Sequence, residues 1–444
     1  GQLKEGILEV VPDYAPAVGS SYYMPHHAVV RTDKVTTKLR VVFDASSKSD
    51  GASLSQVLHE GPCLLPELVK VFLRFRFFQI GLVADIEKAF HQVEIAEQDR
   101  DFLRVLWVRN LSEETMQTMA LRFTRCVFGV TCSPFHLLAT LNCHFDKYER
   151  SNPILTSELR HAMYVDDLTS GADDVMSCVE LAKSARQILQ EGGFNLRKFG
   201  TNSSVVAAKI GIECASSKAA EFEEMTFSDY ITNASEGVSV ESETKVLGLI
   251  WDRNLDEFVF KFNALKDINA SSEVTKRVVL KLVARNFDPL GIISPIIVTL
   301  KILFQDICRE GYEWDSPVSA AKAGAVNEWL KEIEVAGSLR VSRFCLINER
   351  RMIDSAQLIG FCDASQFAYG AVLYVRSVLG DEVDVNILIA KSKIAPVKKQ
   401  TIPRLELLSC LLLARLVRLA RGVLQTVFSI ENEIYLSDSK TALC

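Results

Sequence analysis

The sequence predicts an α+β fold in more than one domain, on three observations. First, 444 residues are too many for one compact core, so two or three domains are expected. Second, short apolar runs alternate with runs of helical spacing up to about residue 260, and a mostly helical stretch follows to about residue 345. Third, the remaining residues have the pattern of three strands, a long amphipathic helix and another strand, which together form an α/β layer.

The first region contains apolar runs that end at charged or turn residues. "IGLVAD" ends at Asp85, and "EKAFHQV" after it is expected to be helical. "MALRF" alternates as a half-buried strand does. In "VFGVTCSPFHLLATL" the chain is expected to turn at Gly129 and to start a helix with Ser133 as cap and Pro134 as first residue. "KVLGLIWD" predicts another strand, interrupted at Gly248.

The stretch "HAMYVDDLTSG" places Asp166 and Asp167 directly after three apolar residues, which predicts a strand, a tight turn and a second strand. Two like charges at a turn are either solvated or held near a divalent cation that removes their repulsion. Asp85, at the end of an apolar strand upstream, favours the cation. Mg²⁺ prefers carboxylates together with phosphate oxygens, and a pair of such ions stabilises the attacking and leaving oxygens of a nucleotidyl transfer.

A second set of carboxylates lies in the last part of the chain. Asp363 ends the first of the three predicted strands, Glu406 lies on the long helix, and Asp438 ends the later strand. Glu406 alone is also explained as part of the polar face of its helix. Strand-end Asp, helix Glu and strand-end Asp in this order favour a shared site over that explanation.

The composition is that of an ordinary soluble globular protein, with 48% apolar and 24% charged residues. The eleven cysteines contain no C-x-x-C pair, so free thiols in a reducing, intracellular compartment are expected, and a structural zinc is not. The net charge of −6 argues mildly against nucleic-acid binding, but the charge is uneven. Ala215–Glu243 is acidic, whereas "LVKVFLRFRFF", "TKRVVLKLVAR" and "KSKIAPVKK" are basic.

Several of these motifs together resemble a known family. "LVADIEKAFHQV", "VFGVTCSPF" and "MYVDDLTSG" resemble, in that order, motifs A, B and C of reverse transcriptases. "RVVFDAS", "GVTCSPF", "LRKF", "FDPLG" and "TIPRLEL" resemble the BEL/Pao class of LTR retrotransposon polyproteins, over essentially the whole chain. The resemblance implies a right-hand polymerase with fingers, palm and thumb and an antiparallel palm sheet, followed by a truncated RNase H-like α/β domain. The expected domains are 1–260 (fingers and palm), 261–345 (helical thumb or connection) and 350–444 (the incomplete RNase H-like part).

The resemblance also implies roles at the first site. Asp85 and Asp166 would be the principal metal ligands and Asp167 the third carboxylate. Ile86 would offer its carbonyl to the metal and its amide to the triphosphate. Phe90 occupies the position of an aromatic gate that clashes with a 2′-hydroxyl, although a core aromatic is the alternative.

Other residues fall where the family binds the nucleotide and the primer. Arg40 would meet the triphosphate, since its fork matches phosphate oxygens, and Gly129 belongs to the motif B turn of the nucleotide site. Phe128 replaces the Gln of retroviral enzymes, so a side-chain amide contact is not expected there. Lys198 is a candidate proton donor to pyrophosphate, with a solvated lysine as the alternative, and Gly248 resembles the primer grip.

A basic helix face is expected in the thumb. Arg277, Lys281 and Arg285 recur every four residues. Such a face would lie along a phosphate backbone, and a solvated helix face is the alternative.

The implied function is RNA- and DNA-directed DNA synthesis with two Mg²⁺ ions, or Mn²⁺, from a primer–template and deoxynucleoside triphosphates (dNTPs). Asp363, Glu406 and Asp438 resemble the first three of the four carboxylates of ribonuclease H, and this part is expected to be inactive as written. No Asp-Thr-Gly or Asp-Ser-Gly triplet supports an aspartic protease. Because the chain begins with Gly1, a piece of a larger Gag-Pol-type polyprotein is expected, in the cytoplasm, a virus-like particle or the nucleus and without a membrane partner.

Two alternatives remain at this point. The first is an inert or domesticated relic that at most binds nucleic acid. The second is an RNA-dependent RNA polymerase, which Phe90 disfavours because a ribonucleotide needs room for its 2′-hydroxyl.

Overall fold

The computed structural model describes residues 2–11, 21–30, 39–48, 51–109, 117–211, 243–262, 273–347, 353–427 and 430–443. Within these ranges the chain forms five β-sheets, and the only parallel strand pair lies in the C-terminal one. The acidic segment proposed at 215–243 lies outside the described residues except for Glu243. No helix of the described ranges combines the length and the apolar character needed to cross a membrane.

Two small sheets, two helices and β4, which belongs to a further sheet, come first along the chain. These elements are β1 (Leu8–Val10), β2 (His26–Val30), β3 (Leu39–Phe43), α1 (Leu54–Val57), α2 (Leu68–Phe77), β4 (Ile80–Ile86), β5 (Arg104–Val108) and β6 (Thr118–Phe123). β2 and β3 form an antiparallel ribbon, and β6 lies between β1 and β5. The ring of Phe43 packs edge-on against Phe123, with ring centroids 4.9 Å apart, and so joins the ribbon to the second sheet.

The next sheet is central, and β4 is one of its inner strands. The elements that follow β6 are α3 (Ser133–Asp146), α4 (Pro153–Ala162), β7 (Met163–Tyr164), β8 (Asp167–Ala172), α5 (Val175–Glu191), β9 (Leu196–Thr201) and α6 (Ser204–Ile210). The strand order is β7-β8-β4-β9, all antiparallel. Every residue of β4 is buried, because the helices pack on one face and a further sheet on the other. α5 ends at Glu191, and Gly192 is its C-cap.

The next unit along the chain combines a sheet with three helices. Its elements are β10 (Glu243–Val246), β11 (Leu249–Asp252), β12 (Glu257–Lys261), α7 (Lys276–Ala284), α8 (Ser294–Arg309), α9 (Ala320–Ala336) and β13 (Ser338–Ser342). β13 pairs with β12, so this sheet takes strands from both sides of the domain boundary expected at 260/261. The helical stretch is interrupted at "DPLGIISP", between α7 and α8. There the Asp288 carboxylate accepts the amides of Ile292 (2.9 Å) and Ile293 (2.8 Å), while burial raises the pKa of Asp288.

The C-terminal unit has the predicted order of three strands, a helix and a strand. Its elements are β14 (Ser355–Ala364), β15 (Ala368–Leu379), β16 (Glu382–Ile394), α10 (Ile402–Val427), β17 (Asn432–Leu436) and α11 (Lys440–Leu443). The sheet order is β16-β15-β14-β17, with β17 parallel to β14. α10 covers one face of the sheet. On the other face Phe361, Ile434 and Leu436 are exposed.

Arg76 joins this C-terminal sheet to α2. Its side chain is fully buried, and its guanidinium donates to the carbonyls of Ile387 (2.6 Å) and Leu388 (2.9 Å) on β16. It also donates to the carbonyls of Ser342 and Arg343 at the end of β13 (both 3.1 Å). Arg76 therefore connects α2 to both the end of β13 and the C-terminal sheet, through hydrogen bonds to backbone carbonyls.

Two sequence predictions need correction. "EKAFHQV" is not a regular helix: Lys88 has a left-handed φ of 47°, and only a short 3-10 helix, Ala89–Gln92, follows. Ser133 is the first residue of α3 rather than its cap, which is Cys132. The Ser133 hydroxyl instead donates to the Val127 carbonyl at 2.7 Å.

Candidate functional site

Four side chains form one row across the central sheet. Tyr164 pairs with Asp167, Asp167 with Asp85, and Asp85 with Arg197. Directly opposed residues on neighbouring strands project to the same face, with Cβ atoms about 4.5–5.5 Å apart. Two carboxylates therefore face each other on adjacent strands, next to a guanidinium on one side and a phenol on the other. Opposed like charges destabilise a sheet, so this arrangement favours a cation.

The turn that carries Asp166 is tight and clamped. Val165 is fully buried and has φ of 59°, which a β-branched residue rarely adopts. The Ile86 amide donates to the Asp166 carbonyl at 2.8 Å, which holds the turn against the end of β4. Surrounding structure must enforce such a backbone, and strain of this kind is concentrated at functional sites. Asp85 and Asp166 are both buried.

Two cations lie beside Asp85 because β9 contains a bulge. Adjacent residues of a regular strand point to opposite faces. The register between β4 and β9 shifts between Val83 and Asp85 of β4, which pair with Gly200 and Arg197 of β9, and Lys198 has φ of 53°. Both Lys198 Nζ (3.7 Å) and Arg197 Nε (3.9 Å) therefore reach Asp85 Oδ2. A bulge commonly re-aims a side chain in this way.

Lys198 was a sequence candidate, but Arg197 was missed. Its position opposite Asp85 is set by strand register, which no local pattern reveals. Arg197 also donates to Glu87 (2.8 Å), so its guanidinium bridges two carboxylates at the end of β4. The adjacent basic residues in "LRKF" were the feature of the sequence that could have identified Arg197.

The donor set suits Mg²⁺. No three His, Cys, Asp or Glu side chains of the described residues already surround a common point. Such a cage is not required, because Mg²⁺ is usually held by one or two carboxylates plus substrate phosphates and water. Asp85, Asp166 and Asp167 offer hard oxygens at the end of one strand pair, and Ile86 offers a carbonyl beside them. The residues therefore fit an ion that arrives with a phosphate-bearing substrate.

Phe90 lies in the core, which was the alternative to the gate. Its side chain is 1% exposed and packs against Phe128, with ring centroids 4.4 Å apart. The gate stays a prediction that depends on whether this pair opens toward a bound sugar.

Gly129 occupies a position that only glycine fits well. Its φ is 88°, and a Cβ there would lie 2.8 Å from the Phe43 carbonyl at the end of β3. The motif B turn thus lies directly against the strand that contains Arg40. Arg40 pairs with Val29 in the ribbon, and its side chain lies outside the described part.

Gly248 is at the tip of the β10–β11 hairpin. Val246 pairs with Leu249, and the two-residue turn between them has φ of 47° at Leu247 and 97° at Gly248. Positive φ at both positions is typical of a type I′ turn, which favours glycine second. The turn explains the glycine without reference to a primer, so the primer grip stays a prediction.

The second set of carboxylates is brought to one end of the C-terminal sheet. Phe361 pairs with Leu436 in the parallel pair β14–β17, and Asp363 and Asp438 each follow two residues later. Glu406 Oε2 accepts the Ser439 hydroxyl at 2.7 Å, which ties the helix carboxylate to the segment next to Asp438. Asp363 and Asp438 are exposed, so this end of the sheet is open to solvent.

The expected basic helix face is partly neutralised. Arg277 forms a two-bond pair with Asp315 (2.6 and 2.8 Å), and its guanidinium also lies over Trp314, as does Lys276. Lys281 and Arg285 lie on the same helix. The arrangement leaves the nucleic-acid role of this face a prediction.

Comparison with known proteins finds a family match in the C-terminal part of the chain. Residues 275–439 match the family model of the Pao retrotransposon-like RNaseH-like domain. This match covers α7–α9 as well as the C-terminal sheet. No curated protein sequence matches the chain.

Solved structures of a foamy viral protease-reverse transcriptase are similar to the whole chain. The complex with an RNA/DNA hybrid has a TM-score of 0.58 at 15% identity and covers 100% of this chain, which spans 48% of the viral chain. The dRH form with double-stranded DNA has a TM-score of 0.57 at 15% identity, and the match covers 100% of this chain and 62% of the viral chain. A third complex, with double-stranded DNA, has a TM-score of 0.54 at 16% identity, and the match covers 100% of this chain and 74% of the viral chain. The chain thus has a mixed α/β fold with antiparallel sheets, similar to that of a retroviral reverse transcriptase, and spans about half the length of the first of these proteins.

Proposed function

We propose that the chain is an RNA- and DNA-directed DNA polymerase of a BEL/Pao-like retrotransposon. The observation that carries this proposal is the pairing of Asp85 with Asp167 across adjacent strands, beside the clamped Asp166 turn, in a fold similar to that of a reverse transcriptase. In this reading the central sheet is the palm, the ribbon with β1, β5 and β6 forms the fingers, and α7–α9 form the thumb.

The proposed reaction is transfer of a nucleotide to a primer. The primer 3′-oxygen forms a bond to the α-phosphorus of a dNTP, and the bond to pyrophosphate breaks. Asp85, Asp166 and Asp167, with the Ile86 carbonyl, would hold two Mg²⁺ ions, which supply charge neutralisation for the attacking and leaving oxygens when bound. Catalysis then depends mainly on positioning.

Lys198 is the proposed proton donor to the leaving pyrophosphate. Its Nζ lies 3.7 Å from Asp85 Oδ2, and a cation bound at that carboxylate would leave the ammonium available to the substrate phosphates. General acid catalysis contributes about 10²-fold or more. Lys198→Ala should therefore slow single-turnover extension by about 10²-fold without weakening duplex binding, and Lys198→Arg should restore little because arginine does not give up its proton.

Template, primer and dNTPs are the proposed partners, and the nucleic-acid complexes of the structural neighbours support this. The C-terminal unit is proposed to be RNase H-like, with Asp363, Glu406 and Asp438 as its carboxylates. We further propose an intracellular location and synthesis as part of a larger polyprotein.

Primer extension on an RNA template tests the proposal. Wild type and Asp166→Asn are compared with Mg²⁺, and deoxynucleotides are compared with ribonucleotides. Extension by deoxynucleotides that the variant abolishes is the expected result. Equal use of ribonucleotides would exclude Phe90 as a gate and favour an RNA polymerase. Folded protein that binds duplex but extends nothing would instead favour the inert relic.

A further inference from the structure

Arg343 is a fully buried arginine that lies outside the site but touches the two elements that frame it. It follows β13 and is 0% exposed. Its Nε and Nη2 donate to the two carboxylate oxygens of Asp256, at 2.6 and 2.7 Å, in the β11–β12 turn. Two-bond pairs of this kind fix orientation as well as distance.

The remaining donors of Arg343 bind the chain just before β4. Nη1 donates to the carbonyls of Phe75 (2.5 Å) and Phe78 (2.8 Å), and Nη2 donates to the carbonyl of Gln79 (3.0 Å). These groups are the end of α2 and the two residues that precede Ile80. The cation thus satisfies carbonyls that a helix end leaves without intrahelical partners.

A tryptophan makes a second connection between the same elements. Trp251 of β11 is fully buried, donates its indole N–H to Asp256 (2.9 Å), and packs edge-on against Phe75. A Cβ at Gly81 of β4 would lie 2.8 Å from Phe75 and 3.0 Å from Trp251. Glycine at this position therefore allows the hairpin sheet to approach the strand closely.

The contact between Trp251 and Gly81 lies on the face of β4 that also carries Asp85. Gly81, Val83 and Asp85 lie on one face of β4, because alternate residues of a strand share a face. Trp251 packs on that face at Gly81, and Asp85 lies about 13 Å further along it at ~3.3 Å per residue. On the other element, Gly248 lies three residues before Trp251 at the hairpin tip.

We propose that Arg343 is a positioning residue that fixes the turn at Gly248 relative to the Asp85 carboxylate. This inference rests on the proposed function and deepens it: the β10–β11 hairpin holds the primer end, and the Arg343–Asp256 pair with the Trp251–Gly81 contact sets its distance from the metal-binding carboxylates. An error of about 1 Å between a held reactant and a catalytic group can cost 10²-fold in rate.

The test is single-turnover primer extension by the full chain, with dNTP and duplex affinities measured separately. Arg343→Lys keeps a charge but cannot reach all five acceptors. It should slow nucleotide addition by about 10- to 100-fold and change dNTP and duplex affinities by less than about 3-fold. Asp256→Asn should act in the same direction.

Gly81→Ala is the second variant, which keeps the inference testable if the arginine variants do not fold. Its methyl group pushes Trp251 away from β4 without removing any charge or hydrogen bond. It should slow nucleotide addition with unchanged affinities as well. Amide hydrogen exchange at 245–248 should become faster in every one of these variants and remain unchanged at β4.

Two controls separate positioning from general stability. Arg340→Lys alters an Arg–Asp pair in the same sheet, with Asp252 at 3.0 Å, but Arg340 is 38% exposed. It should leave the rate unchanged. Leu424→Ala removes a buried side chain of α10 and serves as a variant of comparable Tm loss, whose rate per folded molecule should equal that of wild type.

The outcomes are distinct. If wild type extends primers and Arg343→Lys and Gly81→Ala extend them at the same rate, the inference is overturned and the proposed function stands. Equal slowing by Leu424→Ala would likewise overturn it, since destabilisation alone would then explain the effect. If wild type extends no primer, the proposed function fails and the inference falls with it.

Discussion

Asp85 and Asp167 lie directly opposite each other on β4 and β8, so two carboxylates share one face of the central sheet. Arg197 Nε and Lys198 Nζ lie 3.9 and 3.7 Å from Asp85 Oδ2, beside this pair. The sheet therefore keeps an opposed pair of acids at a position where most sheets would place opposite charges or apolar residues. A divalent cation would remove the repulsion between them, and stability should report its binding.

Asp167→Asn should raise the thermal stability of the metal-free protein. Relief of one opposed like-charge pair is worth about 0.2–1 kcal/mol, which corresponds to an increase in Tm of up to about 1 °C. Mg²⁺ should raise the Tm of wild type, since a ligand that binds only the folded state stabilises it, and should raise that of the variant less. Thermal melts with EDTA and with Mg²⁺ measure both effects.

Asp381→Asn is the matched control for this experiment, because Asp381 is an exposed carboxylate in the β15–β16 turn. It should change neither the Tm nor the response to Mg²⁺. A lower Tm for Asp167→Asn in EDTA would show that Asp167 makes a stabilising contact instead of a repulsive one.

Gly129→Ala should destabilise the protein more than Gly193→Ala. Both glycines have similar backbones, with φ of 88° and 82°, so alanine costs about 1–2 kcal/mol at either position. Only at Gly129 would the new Cβ lie 2.8 Å from a carbonyl, that of Phe43, whereas nothing lies within 4 Å at Gly193. The difference in free energy of unfolding between the two variants, measured in urea, isolates the cost of moving β3 away from the turn. Equal costs would mean that the ribbon yields freely.

The site was predictable where its signals are local. Asp85 and Asp166 follow apolar runs that end in a charged residue and a turn, and these patterns depend on a few consecutive residues. The long helix α10 and its neighbouring strands were predictable for the same reason, since the 3.6 and 2.0 periods are clear in the sequence.

Other features depend on partners that are distant in sequence. Arg197 joins the site through strand register and a bulge, and Arg343 reaches Asp256 from 87 residues away. The helix predicted after Asp85 failed because Lys88 adopts a left-handed backbone, which no propensity of lysine indicates. Burial of Phe90 against Phe128 likewise follows from the packing of α3 on the central sheet.

Arg76→Leu should destabilise the protein and loosen the C-terminal sheet. The substitution leaves buried carbonyls of β16 and of residues 342–343 without their donor, and one such group costs about 1–3 kcal/mol. We expect a loss of about 3 kcal/mol or more in the free energy of unfolding and faster hydrogen exchange in β16. Arg340→Leu, at an exposed arginine, is the control and should cost less than about 1 kcal/mol. If exchange in β16 is unchanged, the connection between the units does not depend on Arg76.

His91 should make the protein less stable as the pH falls below about 6.5. Burial, and then the charge of Lys88, lower the pKa of His91 from 6.5 to about 4, against the opposing effect of Glu5. The folded state therefore binds fewer protons than the unfolded chain in this window, so stability is lost between pH 6.5 and pH 4 and not above it. The loss from this group between pH 7 and pH 5 is about 2 kcal/mol. Carboxylates with lowered pKa values, such as Glu5, lose their contribution to stability only below about pH 4.5, the ordinary pKa of such a group in the unfolded chain.

Urea unfolding of His91→Gln at pH 7 and pH 5 should show a smaller loss of stability than wild type, while His161→Gln, at an exposed histidine, should match wild type. Equal losses in wild type and His91→Gln would assign the acid sensitivity to other groups.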